Sequence, residues 1–141
     1  MNIIVDTNIV FSAILNSNNK IGRILIAKNS NFKFYSCEYL KLELFKHQEK
    51  LLKLTNLNNE ELFELQNFVL ANITFINEKI IPNEIIDETT FLLKNIDPFD
   101  VPFVALATHL NAKLWTGDKK LYIPLQEQNY QNIITTDDFD I

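Results

Sequence analysis

The sequence predicts an α/β protein built on a mostly parallel sheet. Short apolar runs alternate with longer amphipathic stretches along the chain, which is the pattern of repeated βαβ units. The first run ends in Ile3-Ile4-Val5, as expected for a central strand that is buried on both faces. Because the 141 residues contain no repeat, low-complexity tract or linker, we expect a single domain over residues 1–141.

Five short apolar segments are predicted as strands, and the stretches between them supply the helices. The predicted strands cover residues 2–5, 32–36, 73–76, 113–116 and 132–135. The predicted helices cover residues 8–15, 22–28, 37–50, 58–71, 83–94 and 101–110. Ser36 is the predicted N-cap of the third helix, and Asn58 with Glu61 has the spacing of a capping box.

The charge and the cysteine and glycine content exclude several classes of function. A net charge of −5 and a pI near 5.0 argue against non-specific nucleic-acid binding, so any such contact should use a local basic patch. Cys37 is the single cysteine, which excludes an intramolecular disulfide and a cysteine-based metal site. Gly22 and Gly117 are the only glycines, too few for a nucleotide-binding loop.

The cytoplasm is the expected location of the chain. Its single cysteine suits a reducing compartment, and Met1 leads straight into a strand-like run without a basic leader. No uninterrupted apolar stretch is long enough to span a bilayer, so no membrane partner is expected.

Four acidic residues are placed where a parallel sheet would bring them together. Asp6 and Asp118 lie just past the ends of predicted strands, Asp100 opens the helical run 101–110, and Glu43 lies on the apolar face of an amphipathic helix. Ligands of such sheets bind beyond the carboxyl ends of the strands. We therefore expect Asp6, Asp100 and Asp118 within one metal-coordination shell, with Glu43 lining the same cleft. Such an all-oxygen site suits Mg²⁺ or Mn²⁺ and phosphodiester chemistry.

Each acidic residue also has an ordinary structural interpretation. Asp6, with Thr7 and Asn8 behind it, could cap a helix, and Asp118 could sit in a simple turn. Asp100 could be an N-cap with Pro102 in the first helical turn. Glu43 could pair with His47 one turn away. The convergence of all four carboxylates, more than any one of them, favours the functional interpretation.

The two histidines do not suggest a site of their own. With His47, His109 and one cysteine, a zinc hydrolase or a Ser-His-Asp enzyme lacks parts. His109 is expected to be a packing residue near the end of its helix.

Three blocks of the sequence resemble, in order and spacing, the motifs of the PIN-domain ribonucleases. The first is Ile3-Ile4-Val5-Asp6-Thr7-Asn8, the second is residues 97–107, Asp-Pro-Phe-Asp-Val-Pro-Phe-Val-Ala-Leu-Ala, and the third is residues 114–121, Leu-Trp-Thr-Gly-Asp-Lys-Lys-Leu. Glu43, in Glu-Leu-Phe-Lys-His, matches the family's helical glutamate. The likeness runs from residue 2 to about residue 136 and is least specific over residues 51–88. The chain departs from an RNA-binding composition in being acidic, with Arg23 as its only arginine.

The resemblance implies a three-layer α/β/α sandwich and a metal-dependent endoribonuclease, often the toxin of a toxin–antitoxin pair. The family's metal-binding and catalytic carboxylates carry over onto Asp6, Glu43, Asp100 and Asp118, with Mg²⁺ or Mn²⁺ as the cofactor. An RNA substrate and an antitoxin protein are the implied partners, and a homodimer stays open.

Several further residues are candidates for supporting roles. Thr7 or Asn8 would orient Asp6 or bind a water, Asp97 would assist the site or only cap a turn, and Thr116 would support the site. The candidate phosphate contacts are the basic residues beside Asp118 and near the first loop: Lys119, Lys120, Lys20 and Arg23.

Two other functions compete with the nuclease. A haloacid-dehalogenase-like phosphatase also places an aspartate after the first strand, but it needs a second aspartate two residues later, where this chain has Asn8. A catalytically inactive PIN-like module would bind RNA or a protein without cleaving. Retention of all four carboxylates disfavours the inactive module.

Overall fold

The computed structural model describes residues 1–28 and 31–139, and five parallel strands form its central sheet. The strands are β1 (Asn2–Val5), β2 (Lys33–Cys37), β3 (Ile73–Ile76), β4 (Lys113–Trp115) and β5 (Ile133–Ile134). Their order across the sheet is β3-β2-β1-β4-β5. The predicted parallel α/β class is therefore confirmed.

The strand order places a topological switch point between β1 and β4. From β1 the chain first builds outward through β2 and β3, and it then crosses to the other side of β1 to add β4 and β5. Ile4 pairs with Leu114 and Val5 with Trp115, so β1 and β4 end side by side. The residues that follow these two strands thus meet in the crevice where α/β proteins bind their ligands.

Eight α-helices connect the strands within the described residues. They are α1 (Thr7–Leu15), α2 (Lys20–Ile26), α3 (Tyr39–Lys46), α4 (Gln48–Thr55), α5 (Asn59–Leu70), α6 (Asn83–Leu92), α7 (Val101–His109) and α8 (Lys119–Glu127). Short 3₁₀ turns occupy Glu78–Ile80, Pro98–Asp100 and Thr136–Asp138. None of the described helices is long and apolar enough to cross a membrane.

Helices cover both faces of the sheet, which makes the three-layer α/β/α arrangement. Ile3, Ile4 and Val5 have no exposed surface, although successive side chains of a strand point to opposite faces. Helix α7 packs on β1, β2 and β4 and is backed by α6, while α1 packs against α2 and α5. The core between these layers centres on Trp115 and Phe103, the largest fully buried side chains together with the β1 isoleucines.

The predicted helix over residues 37–50 is wrong in its start and in its continuity. Ser36 belongs to β2 and does not cap the helix. Its fully buried hydroxyl donates a 2.7 Å hydrogen bond to the Val5 carbonyl instead, which satisfies it inside the sheet. The helical region is divided into α3 and α4 at His47, where the backbone leaves helical geometry (φ −102°, ψ 16°).

Other helix boundaries differ less from the predicted ones. The capping box at α5 is present, with Asn58 and Glu61 each accepting a hydrogen bond from the other's backbone N–H. Helix α2 begins two residues before Gly22 because Asn19 caps it, accepting from the Gly22 N–H at 2.7 Å. Helix α8 lies in a stretch for which the sequence analysis predicts no element. It contains Pro124 and buries Leu121 and Leu125.

Candidate metal centre

An acidic cavity of about 310 Å³ opens at the carboxyl ends of β1 and β4. It collects side chains from five parts of the chain: the start of α1, the α3–α4 region, the turn before α7, α7 itself and the N-cap of α8. Its lining residues are Asp6, Thr7, Asn8, Phe11, Glu43, His47, Lys50, Asp97, Phe99, Asp100, Phe103 and Asp118. All four predicted carboxylates therefore line one cavity.

Asp6 is the most deeply buried of these carboxylates. It follows β1 and caps α1, accepting a 2.9 Å hydrogen bond from the Ile9 N–H, and only 5% of its surface is exposed. Burial raises its pKa to about 6, against hydrogen bonds from the Thr116 side chain and the Ile9 N–H that lower it. The charges of Asp118 and Glu43 raise this pKa further, which places both groups within electrostatic range.

Asp118 is fixed at the end of β4 in a similar way. It caps α8, and its Oδ1 accepts a 3.0 Å hydrogen bond from the Lys120 N–H. Its own N–H donates to the Thr116 hydroxyl at 3.1 Å. Thr116 thus contacts both Asp118 and Asp6.

Glu43 reaches the cavity from α3 and is held there by Thr7. The Thr7 hydroxyl donates a 2.6 Å hydrogen bond to Glu43 Oε1, bridging residues 36 positions apart. We expected Thr7 to orient Asp6; its observed hydrogen bond is to Glu43. His47, the alternative partner predicted for Glu43, instead places its ring edge-on to Phe11 with the centroids 6.3 Å apart.

Asp97 and Asp100 could each cap a turn by their sequence, and the structure shows that only Asp97 does so. Asp97 caps the 3₁₀ turn, its Oδ1 accepting a 2.9 Å hydrogen bond from the Phe99 N–H. Asp100 occupies the N-cap position of α7, but its side chain makes no capping hydrogen bond. Burial raises the pKa of Asp100 to about 7, and Asp97, Asp6, Asp118 and Glu43 add to the shift. A half-buried carboxylate without a capping role is available for a ligand.

The donor chemistry of the cavity fits a hard divalent cation, although its carboxylates are not gathered around one point. The four side chains offer only oxygen atoms, which Mg²⁺ and Mn²⁺ prefer. Across residues 1–28 and 31–139, however, no group of three His, Cys, Asp or Glu side chains is arranged to hold a metal ion. The four carboxylates therefore line one cavity but do not form the shared coordination shell that the sequence predicts, and metal binding would have to draw them together.

None of the predicted phosphate contacts is among the residues that line the cavity. Lys20 and Arg23 belong to α2, whereas Lys119 and Lys120 form the first turn of α8. The lysine that does line the cavity is Lys50.

Lys50, His47 and Phe11 were missed as cavity residues, although their spacing contained a signal. His47 and Lys50 lie four and seven residues after Glu43, and Phe11 lies four residues after Thr7. Residues at these intervals share a face of a helix. Even across the break between α3 and α4, the face that presents Glu43 also presents His47 and Lys50.

Fold and site together define an α/β domain with an acidic cavity at the switch point of a parallel sheet. The chain belongs to the PIN-domain family, whose sequence model matches residues 4–136. No match was found among curated protein sequences.

Two solved structures are similar over nearly the whole chain. One is VapBC2 from Rickettsia felis bound to a DNA fragment from their promoter, with a TM-score of 0.75 and 17% identity, covering 96% of this chain and 98% of that one. The other is VapBC-1 from nontypeable Haemophilus influenzae, with a TM-score of 0.70 and 17% identity, covering 97% of this chain and 99% of that one. At this level of identity the similarity establishes the shared fold.

Proposed function

We propose that the protein is a metal-dependent endoribonuclease that hydrolyses RNA phosphodiester bonds with Mg²⁺ or Mn²⁺. The observation that carries this proposal is the convergence of Asp6, Glu43, Asp100 and Asp118 on one cavity at the sheet's switch point. Asp6 and Asp100 are each destabilised as anions by burial and by their acidic neighbours, and a bound cation would relieve this. Membership of the PIN-domain family supports the same activity.

The protein's own side chains would hold the cation and position the substrate. Asp6 and Asp118 are fixed by their helix caps, and Glu43 is fixed by Thr7. Asp100, which makes no capping bond, is free to turn toward the cation. A bound divalent ion supplies Lewis-acid chemistry, activating water for attack and stabilising the charge that develops on the phosphate.

We further propose that an antitoxin protein controls this activity. The two similar structures are both VapBC complexes, which supports a protein partner for the present chain. The proposal also includes the cytoplasm as the location, and a homodimer stays open as the assembly state.

Cleavage of a mixed RNA substrate in the presence of Mg²⁺ or Mn²⁺ tests the nuclease function. Wild type should cleave internal bonds, a chelator should abolish cleavage, and Asp6→Asn should lower the rate by orders of magnitude. Cleavage that persists undiminished in Asp6→Asn and Asp100→Asn would come from another source, and the acidic cavity would not be the active site.

An inactive PIN-like binding module is the competing function. Titration calorimetry separates the two, because a module that has lost its catalysis need not retain metal affinity. Absence of both metal binding and RNA cleavage would favour the inactive module. A haloacid-dehalogenase-like phosphatase is disfavoured, because that class needs a second aspartate two residues after the first. This chain has Asn8 at that position, and Asn8 lines the cavity.

A further inference from the structure

A second pocket, of about 330 Å³, lies between the end of α6 and one side of α8. Its walls come from within residues 91–96 on one side and from Lys120, Pro124 and Gln128 on the other. We call it the α6–α8 pocket. None of its lining residues also lines the acidic cavity, so the two sites are distinct.

Both walls of the α6–α8 pocket continue along the chain into the lining of the acidic cavity. Ile96 is followed directly by Asp97, and the Lys120 N–H donates a 3.0 Å hydrogen bond to Asp118 Oδ1. Asp97 and Asp118 both line the acidic cavity. The α6–α8 pocket is therefore the immediate neighbour of the candidate metal centre.

The charge of the α6–α8 pocket is opposite to that of its neighbour. Lys94 and Lys120 line it, and no aspartate or glutamate is among the described residues that do so. Neither lysine forms an ion pair within residues 1–28 and 31–139. Lysine ammonium groups bind phosphate as point charges. In a chain of net charge −5, two such groups in one concave site favour an anionic ligand.

An exposed aromatic ring lies beside these charges. Phe91 keeps 71% of its surface open to solvent, and Lys94 Nζ is 4.5 Å from the centroid of its ring. That distance is within the range of a cation–π interaction, which keeps the ring and the ammonium group together. An aromatic face next to a cation suits a ligand that joins a planar group to an anion.

Gln128 fixes the two walls of the pocket relative to each other. Its Nε2 donates hydrogen bonds to the Leu92 carbonyl at the end of α6, at 3.4 Å, and to the Pro124 carbonyl of α8, at 3.3 Å. The pocket is therefore formed before any ligand binds. The Asn95 side chain and Gln128 Oε1 add amide groups to the lining, which can hydrogen-bond the edge of a nucleobase.

We propose that the α6–α8 pocket binds a nucleotide, with its phosphate at Lys94 and Lys120 and its base against Phe91. A phosphate alone would leave the apolar wall unused, and an apolar ligand would leave both lysines unpaired. At about 330 Å³ the pocket is near the lower end of the roughly 300–1,000 Å³ of ligand pockets, which suits a ligand of this size. The nucleotide is either free or a unit of an RNA strand beside the bond that is cleaved, and only the second source rests on the proposed nuclease function.

Titration of the isotope-labelled protein with AMP in EDTA, followed by backbone amide NMR shifts, tests the site. The shifts should concentrate at residues 94–96 and at Lys120. Adenosine and inorganic phosphate should each bind at least about fivefold more weakly than AMP, because each lacks one of the two contacts. Absence of AMP-dependent shifts at these residues would overturn the proposal. So would shifts concentrated at Asp6, Thr7 and Glu43, which would place AMP in the acidic cavity.

Three variants separate the phosphate contact from the base contact. Lys94→Gln and Lys120→Gln should each weaken AMP binding by about threefold and leave adenosine binding unchanged, because each removes one exposed ionic contact. Phe91→Leu keeps an apolar side chain but removes the aromatic face. It should weaken the binding of AMP and of adenosine by at least about fivefold, the lower end of the effect for one stacked base.

Lys41→Gln and Phe63→Leu are the matched controls. Lys41 also lies over a ring, that of Phe75 at 4.3 Å, and Phe63 is 63% exposed, but neither residue lines the pocket. All five substituted side chains are exposed, so each variant should melt close to wild type. Equal AMP affinities in the pocket variants and the controls would show that the α6–α8 pocket is not the binding site.

Competition between AMP and a fluorescein-labelled oligo(A) strand, measured by anisotropy in EDTA, identifies the source of the nucleotide. If the pocket takes a unit of the strand, AMP should displace oligo(A), and Phe91→Leu should weaken oligo(A) binding. If the pocket takes a free nucleotide, AMP should bind whether or not oligo(A) does, and Phe91→Leu should affect AMP alone.

Failure of this inference can be told apart from failure of the proposed function. AMP binding at the pocket without metal-dependent cleavage of RNA would support the inference and count against the nuclease. Cleavage by a protein that shows no AMP-dependent shifts at the pocket would overturn the inference and leave the nuclease standing.

Discussion

The Thr7 hydroxyl and the Glu43 carboxylate are joined by a 2.6 Å hydrogen bond between the start of α1 and the middle of α3. Thr7 directly follows the buried Asp6, so this bond ties the helical carboxylate to the end of the central strand. It explains how a glutamate on a separate helix acquires a fixed position relative to the sheet.

Replacing Thr7 with valine should therefore impair the site more than the fold. Valine keeps the shape but removes the hydroxyl, so Glu43 loses its anchor. Loss of such a partner of a metal ligand lowers metal affinity or activity by about 10- to 100-fold. Calorimetry with Mn²⁺ measures this, and Thr7→Ser, which keeps the hydroxyl, should behave as wild type. Equal affinity in Thr7→Val and wild type would remove Thr7 from the site.

The metal-free protein should lose stability as the pH rises from about 4 to about 7. The folded chain retains protons on Asp6 to about pH 6 and on Asp100 to about pH 7, whereas the unfolded chain releases them near the ordinary value of 3.8. More protons are bound in the folded state over this interval, so stability from these groups is greatest below it and falls as they ionise.

Thermal melts in EDTA at several pH values measure this decline. The double variant Asp6→Asn/Asp100→Asn should show a shallower decrease in Tm than wild type, because the two raised pKa values are gone. Parallel pH profiles for the two proteins would show that neither carboxylate is destabilised in the fold.

Asp100→Asn should leave the metal-free fold intact and abolish its response to metal. The side chain of Asp100 makes no capping hydrogen bond that asparagine would have to replace, and the substitution removes one charge from an acidic cluster. Wild type should gain Tm on addition of Mg²⁺ or Mn²⁺, since a ligand that binds only the folded state stabilises it. Asp97→Asn is the comparison, because Asp97 acts as a cap. A metal-induced Tm shift of wild-type size in Asp100→Asn would contradict the ligand role.

Gly22→Ala should destabilise the protein, whereas Gly117→Ala should be tolerated. A Cβ at Gly22 would collide with the Ser17 backbone, including its carbonyl oxygen, so α2 or the preceding loop would have to move. Overpacking of this kind costs about 1–3 kcal/mol. A Cβ at Gly117 meets nothing within 4 Å. Chemical denaturation of both variants measures the difference, and equal stabilities would show that the Ser17 loop yields freely.

The sequence was most informative where a local pattern alone determines the structure. All five strands were predicted to within a residue or two, because each is a short apolar run bounded by polar or turn residues. The capping box of Asn58 and Glu61 was predicted for the same reason, since both partners lie within one helical turn. The positions of Asp6 and Asp118 at strand ends followed directly.

Local signals failed where distant contacts determined the outcome. Ser36 has the side chain of an N-cap, but its hydroxyl pairs with Val5 on the neighbouring strand. The helix over residues 37–50 is amphipathic throughout, yet it breaks at His47. Pro124 argues against a helix locally, but burial of Leu121 and Leu125 outweighs the missing hydrogen bond.

By itself, the sequence determined the parallel α/β class and the order of the strands along the chain, and it predicted that four particular carboxylates come together. Only the tertiary structure decided the strand order across the sheet, the Thr7–Glu43 hydrogen bond, and which of Asp97 and Asp100 caps a turn. The physical reason is the separation along the chain over which each kind of interaction acts. Apolar periodicity and caps act over a few neighbouring residues, whereas the cavity depends on side chains brought together from residues 6 to 118 by packing of the whole core.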